Sequence, residues 1–370
     1  MGFFAEKDFF EDVELLEKVT KTMAGELSLD WLDAATERVK CAPQDARRGF
    51  TMDDINVGSY GYSSLPELIR NNYSMAARGS ERVGRLPDLG YVVNRKSDVW
   101  ADAAAALYEE AKSRRWAPAV DVAWGTLHES PLPPALEAAT AQLATFLEEM
   151  SLGRMEFPSR WVAIINQEFI ELKSLLCAQM IDEARHVEVF RKRALAGGQG
   201  LKRASATAEQ ALKEMVFGDS YAEGSVACNV LLGSLLLGVL GHAGAVTTSA
   251  VDQKIFRLVG QDVGRALAYG SAALAYHVAH RPGAGDAMHD FLDHTEHTWL
   301  GVAASRELLE PLAVLTAGGT DRAAVQNAMQ KIGFTLERSL ASYLAHLEKA
   351  GIKDRSRRSR LPQLLAAARG

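Results

Sequence analysis

The 370 residues include only three cysteines, Cys41, Cys177 and Cys228, and no CxxC pair. So sparse and odd a count excludes a disulfide framework and suits a reducing compartment, so a cytoplasmic location is expected. A basic surplus is missing as well. Lys and Arg number 41 against 47 Asp and Glu, a net charge of −6, which argues against a nucleic-acid-binding surface. The opening MGFFAEKDFF lacks the basic stretch of a secretory signal, and Glu6 stands where myristoylation at Gly2 would need Ser or Thr. No glycine-rich phosphate loop follows a strand pattern, and no GxSxG or Cys/His nucleophile motif occurs. Period-two alternation is scarce: residues 56–64 read as loop, and LGYVVN (89–94) as at most a short extended piece. Long apolar runs are limited to CNVLLGSLLLGVLGHAGAV (228–246), which carries Asn229, Ser234, His242 and four glycines. It reads as the buried helix of a bundle rather than a membrane span.

What the sequence does contain is helix. Residues 97–116 and 133–150 keep apolar residues at helical spacing, and Ser64–Glu67 fits a capping box. Pro158 and Ser159 punctuate. A single long helix is then expected to the glycine pair at 197–198, followed by helices over about 220–245, 249–281, 286–315 and 321–350. The basic run KDRSRRSR (353–360) reads as a solvated or disordered tail. Trp116, Asp121 and Trp124 read as a packing clamp. Three divisions follow: an N-terminal helical segment (1–129), a helical core (130–318), and a C-terminal helix with a basic tail (319–370).

The chemistry lies in QMIDEARHVEVF (179–190). Glu183 and His186, at i and i+3, share one helix face and can reach one metal ion together. Eighty residues on, Asp262-Val263-Gly264-Arg265-Ala266 repeats Asp182-Glu183-Ala184-Arg185-His186 with its donors replaced. Two such helix pairs suggest a four-helix bundle with approximate twofold symmetry. The DEARHxEVF run, late in a long helix, resembles ferritin-like di-iron oxygenases and oxidases. These include the multicomponent monooxygenases, the 4-aminobenzoate N-oxygenase type and the ribonucleotide reductase small subunit. That resemblance covers roughly 130–300 and implies an all-α, ferritin-like four-helix bundle with additional N- and C-terminal helices.

It also implies a third donor upstream, for which Glu149 fits, with Glu148 as fallback. Across the bundle, Gly233, Val263 and Ala266 occupy the positions of lost ligands, and the substrate pocket is expected in the space they vacate. Asp262 would orient His186, and Asp182 would hold Arg185 or Arg265. A buried Glu–His pair without a cation must find other partners or become neutral. The leading expectation is therefore one iron or manganese ion on Glu149, Glu183 and His186, acting with dioxygen on a small organic substrate, with a redox partner. The alternative is a non-catalytic subunit or pseudoenzyme, with no metal, that binds a partner protein such as a related metal-bearing subunit. Either form is expected to be a homodimer or heteromer. A third reading is metal-free catalysis by Asp262, Tyr269 or Glu183. The pairs His277/His280 and His294/His297 read as surface or capping groups, His242 as a core or cap histidine, and Glu168 and Glu171 as salt-bridge partners.

Overall fold

A computed structural model describes residues 8–33, 43, 45–47, 49–56, 65–82, 84 and 86–367. Cys41, Ser64, residues 1–7 and most of the 56–64 stretch lie outside the described residues. Fourteen α-helices are seen among those described: α1 (Val13–Met23), α2 (Ala104–Ser113), α3 (Pro118–Asp121), α4 (Pro134–Val162), α5 (Ile170–Ala196), α6 (Ala206–Phe217), α7 (Tyr221–Ser225), α8 (Leu232–Val246), α9 (Ala250–His280), α10 (Ala284–Ala303), α11 (Arg306–Ala317), α12 (Arg322–Lys349), α13 (Arg355–Arg358) and α14 (Leu361–Ala367). A π-helical turn, Val226–Leu231, joins α7 to α8. Among the described residues the extended backbone makes only two isolated bridges, Leu68–Arg95 and Val93–Ile165.

The core is two antiparallel pairs. Helix α4 packs along α5, and α8 packs along α9. Ser249 caps α9, its side chain accepting from Asp252 N, and Pro134 opens α4 where a missing N–H costs nothing. Helices α11 and α12 cover α4 and α8, and α2 lies across α5 and α9. The apolar segment Tyr221–Val246 is long enough to cross a membrane, but 78% of its most apolar window is buried inside the bundle.

Several expected boundaries move. The break between the first two core helices falls at 163–169, not at Pro158, which lies buried within α4. The chain turns after Trp161 because an extended segment captures the backbone: Asn166 N donates to Val93 O, and the Asn166 side chain donates to Asn71 O and Asn94 Oδ1. The helix expected over 286–315 is two, parted at Ala304 and Ser305. The one expected over 97–116 is shorter, a 3-10 turn and then α2. Residues 65–70 are not helical, so no capping box forms there: Glu67 accepts from Ser97 N and Oγ instead. The basic C-terminal run is no free tail. Arg355 is buried and pairs with Asp293 (2.7 Å) and Glu296 (2.9 Å), while Arg358 pairs with Asp290 (2.6 Å) and Asp293.

A buried guanidinium–carboxylate–imidazole chain as candidate functional site

Along α4, Leu143, Leu147, Met150, Arg154, Phe157 and Trp161 recur at spacings of three and four and face the bundle interior. One member of this stripe is charged. Arg154 is fully buried, and its Nε donates to Glu183 Oε1 at 2.7 Å while its Nη1 donates to Cys228 O at 2.7 Å. The Cys228 carbonyl lies in the π-helical turn, where wider winding releases carbonyls from the regular ladder. Gln179 helps to hold the same turn, donating to Asn229 Oδ1 at 2.9 Å.

From Glu183 the chain of contacts continues across the bundle. His186 Nδ1 lies 2.9 Å from Glu183 Oε2, and its Nε2 lies 3.3 Å from Asp262 Oδ2. Asp262 also accepts from Trp116 Nε1 (2.7 Å), Arg265 Nη2 (2.6 Å) and Arg185 Nη2 (3.2 Å). Asp182 accepts from Arg265 Nη2 (2.7 Å) and from Arg185. Asp262 thus lies on the Nε2 side of His186, and Asp182 accepts from both arginines. Trp116 does more than clamp. It donates to Asp262, stacks on His186 with ring centres 6.3 Å apart, and carries the Arg185 guanidinium over its face.

Three carboxylates (Asp182, Glu183, Asp262) thus meet three guanidiniums (Arg154, Arg185, Arg265) and one imidazole. Burial alone would raise the Glu183 pKa, but Arg154 and His186 hold it below the ordinary value. For His186 burial works downward, and the Glu183 and Asp262 carboxylates outweigh it, raising the pKa to about 9. Asp262 is depressed by His186, Trp116 and Arg265 against the opposing effect of burial. Burial, reinforced by Asp262, raises Asp182, and burial pushes the Cys228 thiol up to about 12. At neutral pH His186 is an imidazolium between two carboxylates, with both ring nitrogens engaged.

The other predicted residues are placed differently. Glu149 is five residues before Arg154, about 140° away around the helix. Its Oε2 accepts from Ser205 N (3.1 Å) at the start of α6, and Glu148 pairs with Arg191 (3.0 Å). The structure does not bring either to Glu183 and His186. Val263 and Ala266 are buried in the packed core. A Cβ on Gly233 would lie 3.7 Å from Leu267 Cβ and 3.9 Å from Arg154 Nη1, so the guanidinium borders that vacated position. The expected substrate pocket is accordingly closed. A cavity of about 10 Å³, lined by Gln179, Glu183, Asp262, Arg265, Ala266 and Tyr269, remains, room for roughly one water. Tyr269 is engaged with Tyr221 Oη (2.6 Å) and Val99 O (3.0 Å).

Of the remaining histidines, His242 sits between Thr316 and Thr335, His277 lies against Ser97 O, and His280, His294 and His297 are exposed. Glu168 and Glu171 pair with Arg78 and Arg82 of the N-terminal segment. Arg154 is the residue that sequence reading missed. Its signal was available, a lone charge in register with the apolar stripe of α4.

No family model and no curated protein matches the chain. Solved structures do. One is an R2-like ligand-binding oxidase with an aerobically reconstituted metal cofactor after photoconversion (TM-score 0.52, 15% identity, 67% of this chain and 93% of that one). Another is an R2-like ligand-binding oxidase with an aerobically reconstituted Mn/Fe cofactor (TM-score 0.50, 16% identity, 66% and 91%). At these identities the likeness is one of fold. The chain is an all-α protein built like the ferritin-like non-haem metal oxidases, and manganese and iron are the metals held by a structure it resembles. Its own side chains do not fit such a cofactor. Both oxygens of Glu183 and both nitrogens of His186 are engaged by protein partners, and a guanidinium stands 2.7 Å from the carboxylate a cation would need. Among the described residues no three His, Cys, Asp or Glu side chains form a group suited to a metal ion.

Proposed function

We propose that this chain is a metal-free descendant of the ferritin-like oxidases, a non-catalytic subunit that works in the cytoplasm by binding a partner protein rather than nucleic acid or membrane. One observation carries the reading: Arg154, fully buried, donates to Glu183 at 2.7 Å. In a bundle of this kind a cation neutralises inward-facing carboxylates. Here arginine supplies that positive charge: three guanidiniums and the His186 imidazolium already outnumber the three carboxylates, so the carboxylates need no metal for neutralisation. An open coordination position, which oxygen chemistry requires, is missing from this arrangement, and a cavity of about 10 Å³ leaves no room for an organic substrate.

A second reading is favoured by Asp262 on the Nε2 side of His186, since a carboxylate behind an imidazole is how metal-ligating histidines are oriented. In that reading Arg154 swings out and one iron or manganese ion binds Glu183 and His186. The two are separated by metal analysis of protein produced with both metals supplied. The expected result is no stoichiometric metal in the parent, in Glu183→Ala or in His186→Ala. One equivalent in the parent, lost in both variants, overturns the proposal.

A further inference from the structure

We propose that residues 8–33 form an arm that seats on a second copy of this chain, its apolar side chains entering the cleft between α8, α10, α12 and α14. The proposal rests on the reading of the chain as a binding subunit and names its partner. Its test is an oligomeric state, independent of metal content.

Helix α1 is well made locally. Asp12 caps it, and Lys18–Glu14 and Lys21–Glu17 pair one turn apart. Yet it buries no residue. Val13, Leu16, Val19 and Met23 follow one another at helical spacing with exposures of 77%, 43%, 50% and 84%, and Phe9, Phe10 and Trp31 stand out beside them. An isolated helix of this length is marginal in water, because nucleation costs more than so few hydrogen bonds return. Phe9, Phe10 and Trp31 add roughly 400 Å² of exposed aromatic surface, and apolar surface gathered on that scale marks an interface.

Charge selects the occupant. The arm carries eight Asp or Glu and two Lys, whereas residues 349–360 carry six Lys or Arg and one Asp. Arg355 and Arg358 are spent on Asp290, Asp293 and Glu296, while Lys349, Lys353, Arg357 and Arg360 stay exposed. Immediately beside Arg360 the chain has its apolar cleft, about 70 Å³, lined by Leu231, Leu235, Trp299, Leu336, Leu340 and Leu361 among others. An acidic amphipathic helix is complementary to an apolar cleft whose neighbouring segment, ending at Arg360 beside Leu361, exposes basic side chains. An anionic membrane would repel the arm.

Light scattering on the full chain across a concentration series tests this. A dimer is expected, weakened in high salt. Leu16→Glu/Val19→Glu should raise the dissociation constant at least about a hundredfold, with an unchanged circular dichroism spectrum because both positions are exposed in the monomer. Glu14→Lys/Glu17→Lys should weaken the dimer similarly, and adding Arg357→Glu/Arg360→Glu should restore it. A monomeric parent, including one whose arm folds back on its own chain, overturns the proposal. So does a dimer whose affinity these arm variants leave unchanged.

Discussion

At the scale of single residues, the decisive feature is that a buried carboxylate takes its counter-charge from Arg154. Removing one partner of such a pair strands the other, which costs about 3–5 kcal/mol, whereas replacing both can be close to neutral. Arg154→Met is therefore expected to lower unfolding stability by about that amount. Adding Glu183→Gln should recover most of it, because the stranded charge is gone. A double-mutant cycle by urea denaturation checks this, and additive losses would count against the pairing. His186 gives the pH dependence. Its folded pKa lies near 9, above the 6.5 of the free side chain. The stability it contributes is thus complete below pH 6.5 and lost as pH rises through 9, on the order of 3 kcal/mol. Denaturation from pH 6 to 10 should show that decline in the parent and a flat profile in His186→Gln. Glu183, with its lowered pKa, acts in the opposite sense: its contribution is present above its unfolded value and fades only in acid.

At the scale of elements, the glycines of α9 distinguish close packing from open space. A Cβ on Gly270 would come 2.5 Å from Asn229 Cβ in the π-helical turn, while one on Gly264 meets nothing within 4 Å. Gly270→Ala should cost about 1–3 kcal/mol by forcing that turn outward. Gly264→Ala should be neutral or stabilising by up to about 1 kcal/mol, since alanine favours helix. Thermal unfolding of the two variants reads the contrast directly. Core helices α9 and α12 were legible within a residue or two because their caps, Ser249 and Asp321, and their apolar periods agree. The break at 163–169 was not, because it depends on Val93, Asn94 and Asn71, some seventy or more residues away in sequence. Pro158 reads as the natural stop, but it is buried inside α4, and that burial outweighs its lost hydrogen bond. Within the site, the pairing of Glu183 with His186 was legible from spacing, while Asp262, Asp182, Arg185 and Arg265 stood out only through the internal echo and the family resemblance. Arg154 carries no metal donor and lies outside the internal echo, so only its register with the apolar stripe of α4 marks it as inward-facing. Composition offered no sign of the π-helical turn.

At the scale of the whole molecule, the C-terminal segment is where local composition misleads most. Seen alone, KDRSRRSR is a charge run that belongs in solvent. In the folded chain it closes the far side of the bundle, because α10 presents Asp290, Asp293 and Glu296 along one face at helical spacing. Glu296 is buried. It accepts from Arg355 Nε (2.9 Å), Tyr343 Oη (2.8 Å) and Ser359 Oγ (2.6 Å). Two of those three donors come from the last twenty residues. Ending the chain at Ile352 would leave the carboxylate with Tyr343 alone, and a buried acid losing its guanidinium costs about 3 kcal/mol. The truncated protein should therefore unfold at distinctly lower urea concentration, with Glu296→Gln in the truncated background recovering part of the loss. A disordered tail would instead leave the midpoint unchanged. Arg355→Ala in the full chain isolates the ion pair from the packing of α14: if it reproduces most of the truncation, charge rather than the apolar contacts of Leu361 anchors the end of the chain.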